Sequence, residues 1–192
     1  MLQDKIAEVE AKIKDALDKR TEPKVTGDQV TILAVTKNHP AEIVTETLAA
    51  GLTEIGENRV QEAMHKQAVL PKGGHWHLIG HLQTNKAKHA VEHFDLIESV
   101  DSLKLLGHLE KAAAELDKVQ DVLLQINEAG EVQKSGFAPA DFRAAVPELS
   151  QYPHIRVRGV MVIAQATDNV EETRPVFAAG YRDFLFLRDA LH

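Results

Sequence analysis

The sequence predicts an α/β protein built on a parallel sheet, and two observations support this fold class. Short apolar runs rich in β-branched residues alternate with longer amphipathic stretches over six successive units. Proline and glycine mark the unit boundaries, as where Pro40 begins a helix and Gly51 ends it. Strict strand–helix alternation indicates parallel strands joined by right-handed crossovers. Both an open doubly wound sheet and part of a (β/α)8 barrel, which typically has about 250 residues and eight units, fit this pattern.

The elements follow in order along one predicted domain, residues 1–192. An N-terminal helix is predicted over residues 2–19, where Leu2, Ile6, Val9 and Ile13 recur at spacings of three and four. The six predicted strands cover residues 31–36, 52–56, 76–79, 95–99, 121–126 and 157–164. The helices after them cover residues 40–50, 59–69, 85–93, 102–116, 139–149 and 169–191, with Asp101 or Ser102 as a cap.

Composition excludes several classes of function. The formal net charge is −7 and the chain has one Trp and two Tyr, which disfavours a protein that tracks nucleic-acid phosphates. The longest apolar run, residues 160–164, is far shorter than the roughly 20 residues that span a bilayer. The first residues lack the apolar core of a signal peptide, and no cysteine is present for a disulfide or a thiolate. We therefore expect a soluble cytoplasmic protein with no nucleic-acid or membrane partner.

Both candidate architectures bind ligands at the carboxyl ends of the strands, so the residues that end each apolar run are the candidate site. Most of them have the ordinary polarity of loop residues. The candidates are Lys37, Glu57, Asn58, His81, Gln83, Asn85, Ser99, Asp101, Asn127 and Gln165.

Lys37 differs from the other candidates because it ends a strand expected to be covered on both faces. Val35 and Lys37 share one face of that strand. An ordinary lysine whose amine reaches solvent fits this position, and spacing alone favours it. A Schiff-base lysine fits as well: free lysine has a pKa of about 10.4, and partial burial would lower the pKa and increase the nucleophilic fraction.

The histidines could form a metal site, but the spacing favours an ordinary role. His75 and His77 lie two residues apart, and Glu57 is the nearest plausible third ligand. We expect His75 to lie in the glycine-rich turn and His77 to point into the sheet or barrel, with no metal bound.

Phosphate-binding signatures are weak. No Walker A or dinucleotide-binding glycine pattern occurs. The segment at residues 134–137 could wrap an anion, but short Lys-Ser-Gly runs also occur in many ordinary loops. Arg156 and Arg158 share a strand face and are expected to be solvated or ion-paired.

Several segments, in order, resemble the pyridoxal phosphate homeostasis protein family, whose members are single-domain relatives of the alanine racemase N-terminal barrel. The most specific are Ile-Gly-Glu-Asn at residues 55–58 and Trp-His-Leu-Ile-Gly-His-Leu-Gln-Thr-Asn-Lys at residues 76–86. Leu-Ala-Val-Thr-Lys (33–37), Gln-Ile-Asn (125–127), Lys-Ser-Gly (134–136) and Arg-Gly-Val-Met (158–161) accompany them. The resemblance covers residue 2 to the end of the sequence.

The resemblance implies a (β/α)8 TIM-barrel type of fold, truncated to about six units, with an N-terminal helix. It implies that Lys37 holds pyridoxal 5′-phosphate as a Schiff base, and that Asn58 lies beside the cofactor ring. His77 would line the barrel below the ring, Met161 would pack near it from the sixth strand, and Val35 shares the face of Lys37. The family is thought to carry, buffer or deliver the cofactor rather than to turn over a substrate.

Family members continue into two more strands, whose Ser-x-Gly-Met-Ser and Arg-Ile-Gly-Thr segments bind the cofactor phosphate. This sequence stops at His192, before both. Two further functions therefore stay open: a pyridoxal-phosphate-dependent racemase-like enzyme, and a remnant that binds cofactor weakly. We also expect self-association through the open barrel edges, because unpaired edge strands beside apolar side chains favour it.

Overall fold

The computed structural model describes residues 1–21, 29–130 and 135–191. It contains one parallel six-stranded sheet in which the strands lie in sequence order, so the predicted α/β class and parallel pairing are confirmed. The strands are β1 (Ala34–Val35), β2 (Glu54–Glu57), β3 (His75–Leu78), β4 (Leu96–Val100), β5 (Gln120–Ile126) and β6 (Ile155–Val162).

Within these described ranges, seven α-helices precede, connect and follow the strands. They are α1 (Leu2–Asp18), α2 (Ala41–Ala49), α3 (Val60–Val69), α4 (Ala87–His93), α5 (Leu103–Glu115), α6 (Pro139–Ala145) and α7 (Arg174–Leu191). The Ser102 side chain caps α5 by accepting a hydrogen bond from the Leu105 amide at 3.2 Å, so of the two predicted caps, Asp101 and Ser102, it is Ser102 that caps the helix.

Several elements are shorter than predicted: α4 and α7 begin late, after 3₁₀ turns at Thr84–Lys86 and Val170–Thr173, and β1 and α6 are also short. β1 has two residues rather than six, because its parallel pairing with β2 covers two aligned positions, Ala34 with Ile55 and Val35 with Gly56. α6 ends at Ala145 rather than at residue 149, and a 3₁₀ turn covers Val146–Gln151. Pro147 has no N–H with which to continue the α-helical ladder, which explains the early end.

The core lies between the sheet and its helices. Alternate strand residues, among them Ile55, Trp76, Leu78 and Ile97, are buried on the helix-covered face. The strand register aligns Val35, Gly56 and His77 on the opposite face, which we call the inner face. Val35 is 45% exposed there, so the inner face is more open than the helix-covered one.

The N-terminal helix α1 contributes no residue to the buried core. α1 forms as predicted, but none of its residues is buried.

Within the described ranges, no helix is long and apolar enough to cross a membrane.

Candidate functional site

Lys37 lies immediately beyond β1, on the inner-face side of the chain. It follows Val35 by two residues, and Val35 is aligned with Gly56 in β2. The side chain is exposed, so the partial burial considered from the sequence does not occur. Among the described residues, no hydrogen bond or ion pair occupies its amine, which is therefore available to a ligand.

The backbone on both sides of Lys37 is held by helix α3. The Thr36 carbonyl accepts a hydrogen bond from Lys66 Nζ at 2.8 Å, and the Asn38 amide donates to Glu62 Oε1 at 2.6 Å. Asn38 has a φ of +62°, a left-handed conformation that asparagine tolerates better than most residues. The chain thus turns sharply directly after Lys37.

A buried cluster of charges fixes α3 to the first two strands. Lys66 Nζ donates to Glu57 Oε1 at 2.6 Å and to Glu62 Oε1 at 2.9 Å, in addition to the Thr36 carbonyl. The Thr36 hydroxyl donates to the same Glu57 oxygen at 2.5 Å. Glu57 is fully buried and Lys66 is 5% exposed, so the two charges neutralise each other away from water. Glu57 therefore faces the helices rather than the ligand edge.

Glycines bring the segments around this edge close together. A Cβ at Gly56 would lie 3.2 Å from Leu33 and 3.3 Å from Ile79, so these two side chains converge over the glycine. A Cβ at Gly80 would lie 2.3 Å from the Asn58 carbonyl oxygen, so only glycine allows the segment after β3 to approach the segment after β2. Asn58 is thereby held at the edge of the sheet.

His77 projects from the inner face between two carboxylates. Its Nε2 lies 2.7 Å from Glu54 Oε2 and its Nδ1 lies 2.7 Å from Glu98 Oε1, which confirms that it points inward. Burial alone would lower the pKa of His77, but the hydrogen bonds and negative charge of Glu98 and Glu54 outweigh burial and raise it. A positive imidazolium is thus stabilised below the rim of the sheet.

The expectations for His75 and Glu57 were wrong in placement. His75 begins β3 rather than lying in the turn, and its Nδ1 is 2.9 Å from Glu54 Oε1. The carboxylates beside the histidines are Glu54 and Glu98, because Glu57 has the opposite parity on β2. No group of three histidine or carboxylate side chains has a metal-binding arrangement in the part of the chain that the structure describes.

The loops after β3, β4 and β5 meet at the carboxyl edge of the sheet. His81 Nδ1 lies 3.1 Å from Asp101 Oδ2 and 3.2 Å from Ser135 Oγ. Gln125 Nε2 donates to the Ser135 carbonyl at 3.1 Å, and Gln125 is aligned with Met161 of β6. Met161 is half-buried. Lys134, the first residue of the predicted anion loop, lies outside the described residues.

Arg156 and Arg158 on β6 are ion-paired, which is one of the two roles expected for them from the sequence. Arg156 Nε lies 2.5 Å from Asp121 Oδ1, and Arg158 Nε lies 3.9 Å from Asp121 Oδ2. Asp121 opposes Arg156 in the register of β5 and β6.

Glu128, in the loop after β5, and Asp183, in α7, form a pair of carboxyl groups that the sequence did not reveal. Burial and a hydrogen bond with Asp183 raise the pKa of Glu128 to about 7. Asp183 is 2% exposed and accepts two hydrogen bonds from Arg143, at 2.9 and 2.7 Å. No local pattern marks the pair, because its members lie in a loop and in α7.

The sequence contained a partial signal for the other missed residues. Glu54 has the same strand parity as Gly56, and Glu62 and Lys66 have the i, i+4 spacing of a helical ion pair. Their partners lie on neighbouring strands, and those contacts require the register.

Comparison with known proteins shows which proteins the chain is similar to. The family model of the alanine racemase N-terminal domain matches residues 18–192. The pyridoxal phosphate homeostasis protein of Pseudomonas aeruginosa is 40% identical over 179 residues, which cover 92% of this chain and 76% of that protein. That of Pasteurella multocida is 32% identical and covers 99% and 82%.

Solved structures agree with this assignment. PipY of Synechococcus elongatus, solved with PLP bound, is 41% identical and superposes with a TM-score of 0.77 over 93% of this chain and 82% of that one. An alanine racemase of Clostridium difficile, 16% identical with a TM-score of 0.68 over 86% and 43%, shows the shared fold alone. The chain therefore belongs to the pyridoxal phosphate homeostasis protein family, which has the fold of the alanine racemase N-terminal domain.

Proposed function

We propose that this protein binds pyridoxal 5′-phosphate on Lys37 and serves in homeostasis of that cofactor. One observation carries the proposal: the Lys37 amine is exposed and, within the described residues, unpaired at the carboxyl end of β1. That is the edge at which parallel α/β folds bind ligands. The homologue PipY, which shares 41% identity with this chain, has been solved with PLP bound.

The chemistry required of Lys37 is Schiff-base formation. The lone pair of the neutral Nζ attacks the aldehyde carbon of the cofactor, and a C=N bond forms. The aldehyde oxygen leaves with two protons as one water molecule, so no oxidant or reductant is needed. Bound in this way, the cofactor supplies an electron-withdrawing pyridine ring.

Apolar side chains near β1 support contact with an aromatic ligand. Gly56 has no side chain, and Leu33 and Ile79 converge over it to provide apolar contact beside Val35. Asn58 supplies an amide at the rim. We propose Val35, Asn58, His77 and Met161 as the residues that line the cofactor site together with Lys37.

The site supports binding better than racemisation. A racemase needs a base on each face of the cofactor–substrate adduct. Tyr181 lies in α7, where its ring stacks on that of Phe184 with the ring centroids 6.3 Å apart. Tyr152 follows the 3₁₀ turn after α6. These are the two tyrosines of the chain, and neither lies on an inner-face strand. Conversion of L-alanine to D-alanine by the pure protein, lost in Lys37→Ala, would contradict this assignment.

A cofactor titration tests the proposed function. Pyridoxal phosphate added to the protein should produce the absorbance of a protonated Schiff base near 1:1 stoichiometry, and Lys37→Ala should abolish it. Lys88→Ala is the matched control, because Lys88 is an exposed lysine paired only with Glu115 in the described structure. Equal loss of absorbance in both variants would mean non-specific lysine modification.

We also propose self-association through the sheet edges. β1 and β6 each have one neighbour in the described sheet, and Val35 and Ile163 are 45% and 46% exposed near them. Sedimentation over a range of protein concentrations should show a rising average mass. A constant monomer mass would exclude this proposal.

A further inference from the structure

We propose that Glu62 and Lys66 of α3 are positioning residues for Lys37, acting through the backbone on either side of it. This inference rests on the proposed function, because it concerns how the same amine is presented to a cofactor. It differs from a stability role because the two contacts converge on one residue.

The two peptide groups that flank Lys37 are each held by a side chain from α3. The peptide between Thr36 and Lys37 is held through its carbonyl, which accepts from Lys66 Nζ at 2.8 Å. The peptide between Lys37 and Asn38 is held through its amide, which donates to Glu62 Oε1 at 2.6 Å. Because both peptide planes are fixed, the φ and ψ of Lys37 are fixed as well. The direction of its Cα–Cβ bond follows from them.

The anchors themselves are held in place. Glu62 and Lys66 lie four residues apart on α3 and contact each other at 2.9 Å, and Lys66 also contacts the buried Glu57 at 2.6 Å. The three donors of Lys66 thus have three acceptors, so Lys66 is a fixed anchor rather than a competing nucleophile.

Glu62 remains ionised at neutral pH. Burial raises its pKa, but the hydrogen bonds from Lys66 and from the Asn38 amide, with the Lys66 charge, lower it overall. A charged acceptor binds a backbone amide more strongly than a neutral one. The +62° φ of Asn38 is therefore stabilised by a charge-assisted bond.

Fixing the origin of the Lys37 side chain matters for a covalent bond. The four-carbon stem of a lysine is flexible, and the amine must reach the aldehyde carbon at a defined distance and angle. A loosened turn would leave the amine free but misplaced. Covalent capture would weaken while contacts with the rest of the cofactor persist.

Glu62 is the better position for a test, because it is 22% exposed whereas Lys66 is 5% exposed. Glu62→Ala removes the acceptor of the Asn38 amide. Glu62→Gln keeps an oxygen that can accept from both the amide and Lys66. Glu115→Ala removes a glutamate that pairs with an exposed lysine, Lys88, and is the matched control.

Two probes separate positioning from general damage: pyridoxal phosphate, and pyridoxine phosphate, whose alcohol cannot form a Schiff base. We expect Glu62→Ala to weaken pyridoxal phosphate binding about tenfold and to leave pyridoxine phosphate binding unchanged. Glu62→Gln should restore most of the loss, and Glu115→Ala should match the wild type for both probes.

Equal weakening of both probes in Glu62→Ala, or weakening of neither, would overturn the positioning role while leaving the proposed function intact. A wild-type protein that forms no Schiff base at Lys37 would instead overturn the proposed function, and the positioning inference with it.

Discussion

Lys37 and Lys66 lie at the same short segment of chain but differ in exposure and in hydrogen bonding. Lys37 follows β1, is exposed, and has no partner among the described residues. Lys66 reaches the preceding residue, Thr36, from the helix-covered side and donates to three oxygens while 5% exposed. The comparison teaches that the availability of a lysine amine near β1 depends on the side of the sheet on which the amine lies, since Lys37 follows the strand itself and Lys66 reaches it from α3. The inner face leaves an amine free, and the helix-covered face uses every donor.

The largest expected effect contrasts the two lysines in stability. Lys66→Met should lower the free energy of unfolding by about 3–5 kcal/mol, because it leaves the buried Glu57 carboxylate unpaired. Lys37→Met should change it by less than about 0.5 kcal/mol, because an exposed, unpaired side chain is replaced. Urea unfolding at pH 7 measures both. Similar losses in the two variants would show that the structural difference between the lysines has no energetic counterpart.

A smaller effect is the pH dependence of the free energy of unfolding that arises from His77 on the inner face. His77 has a raised pKa in the folded state, so its contribution is fully present below its unfolded pKa of about 6.5. That contribution is lost as pH rises through the higher folded value. We expect the free energy of unfolding to fall above pH 6.5, and His77→Gln to flatten that decline.

The control for this pH dependence is His89→Gln, since His89 is a half-exposed histidine on α4. It should retain the wild-type decline. A decline that persists unchanged in His77→Gln would remove His77 as its source.

A third effect concerns Glu128, whose folded pKa is raised to about 7. Its protonated form is favoured in the folded state, so its contribution is present below pH 4.5 and is lost between about pH 4.5 and 7. Glu128→Gln should therefore be more stable than the wild type at pH 8 and similar to it at pH 4.5. Thermal unfolding at the two pH values measures this difference, and a variant destabilised equally at both would contradict it.

The fold could be predicted from the sequence further than the site could. Six strand–helix units, and the cap of Ser102 on α5, follow from local patterns that the structure retains. The length of β1 could not be predicted, since it depends on how many of its residues align with β2.

The position of Lys37 at a strand end is a local feature and could be predicted. The contacts around it could not, because Lys66 is 30 residues from Thr36 and Glu62 is 24 residues from Asn38. The placement of Glu54 and Glu98 around His77 requires the register of three strands for the same reason. Long-range polar contacts depend on which side chains the register aligns, and the sequence does not state the register.

Borohydride reduction followed by peptide mapping tests the central claim most directly. Protein incubated with equimolar pyridoxal phosphate is reduced, digested, and searched for the pyridoxyl group on each lysine. We expect the label on Lys37, little on the exposed Lys88, and none on Lys66, whose donors are all occupied. Label on Lys66, or label spread evenly over the exposed lysines, would contradict the account.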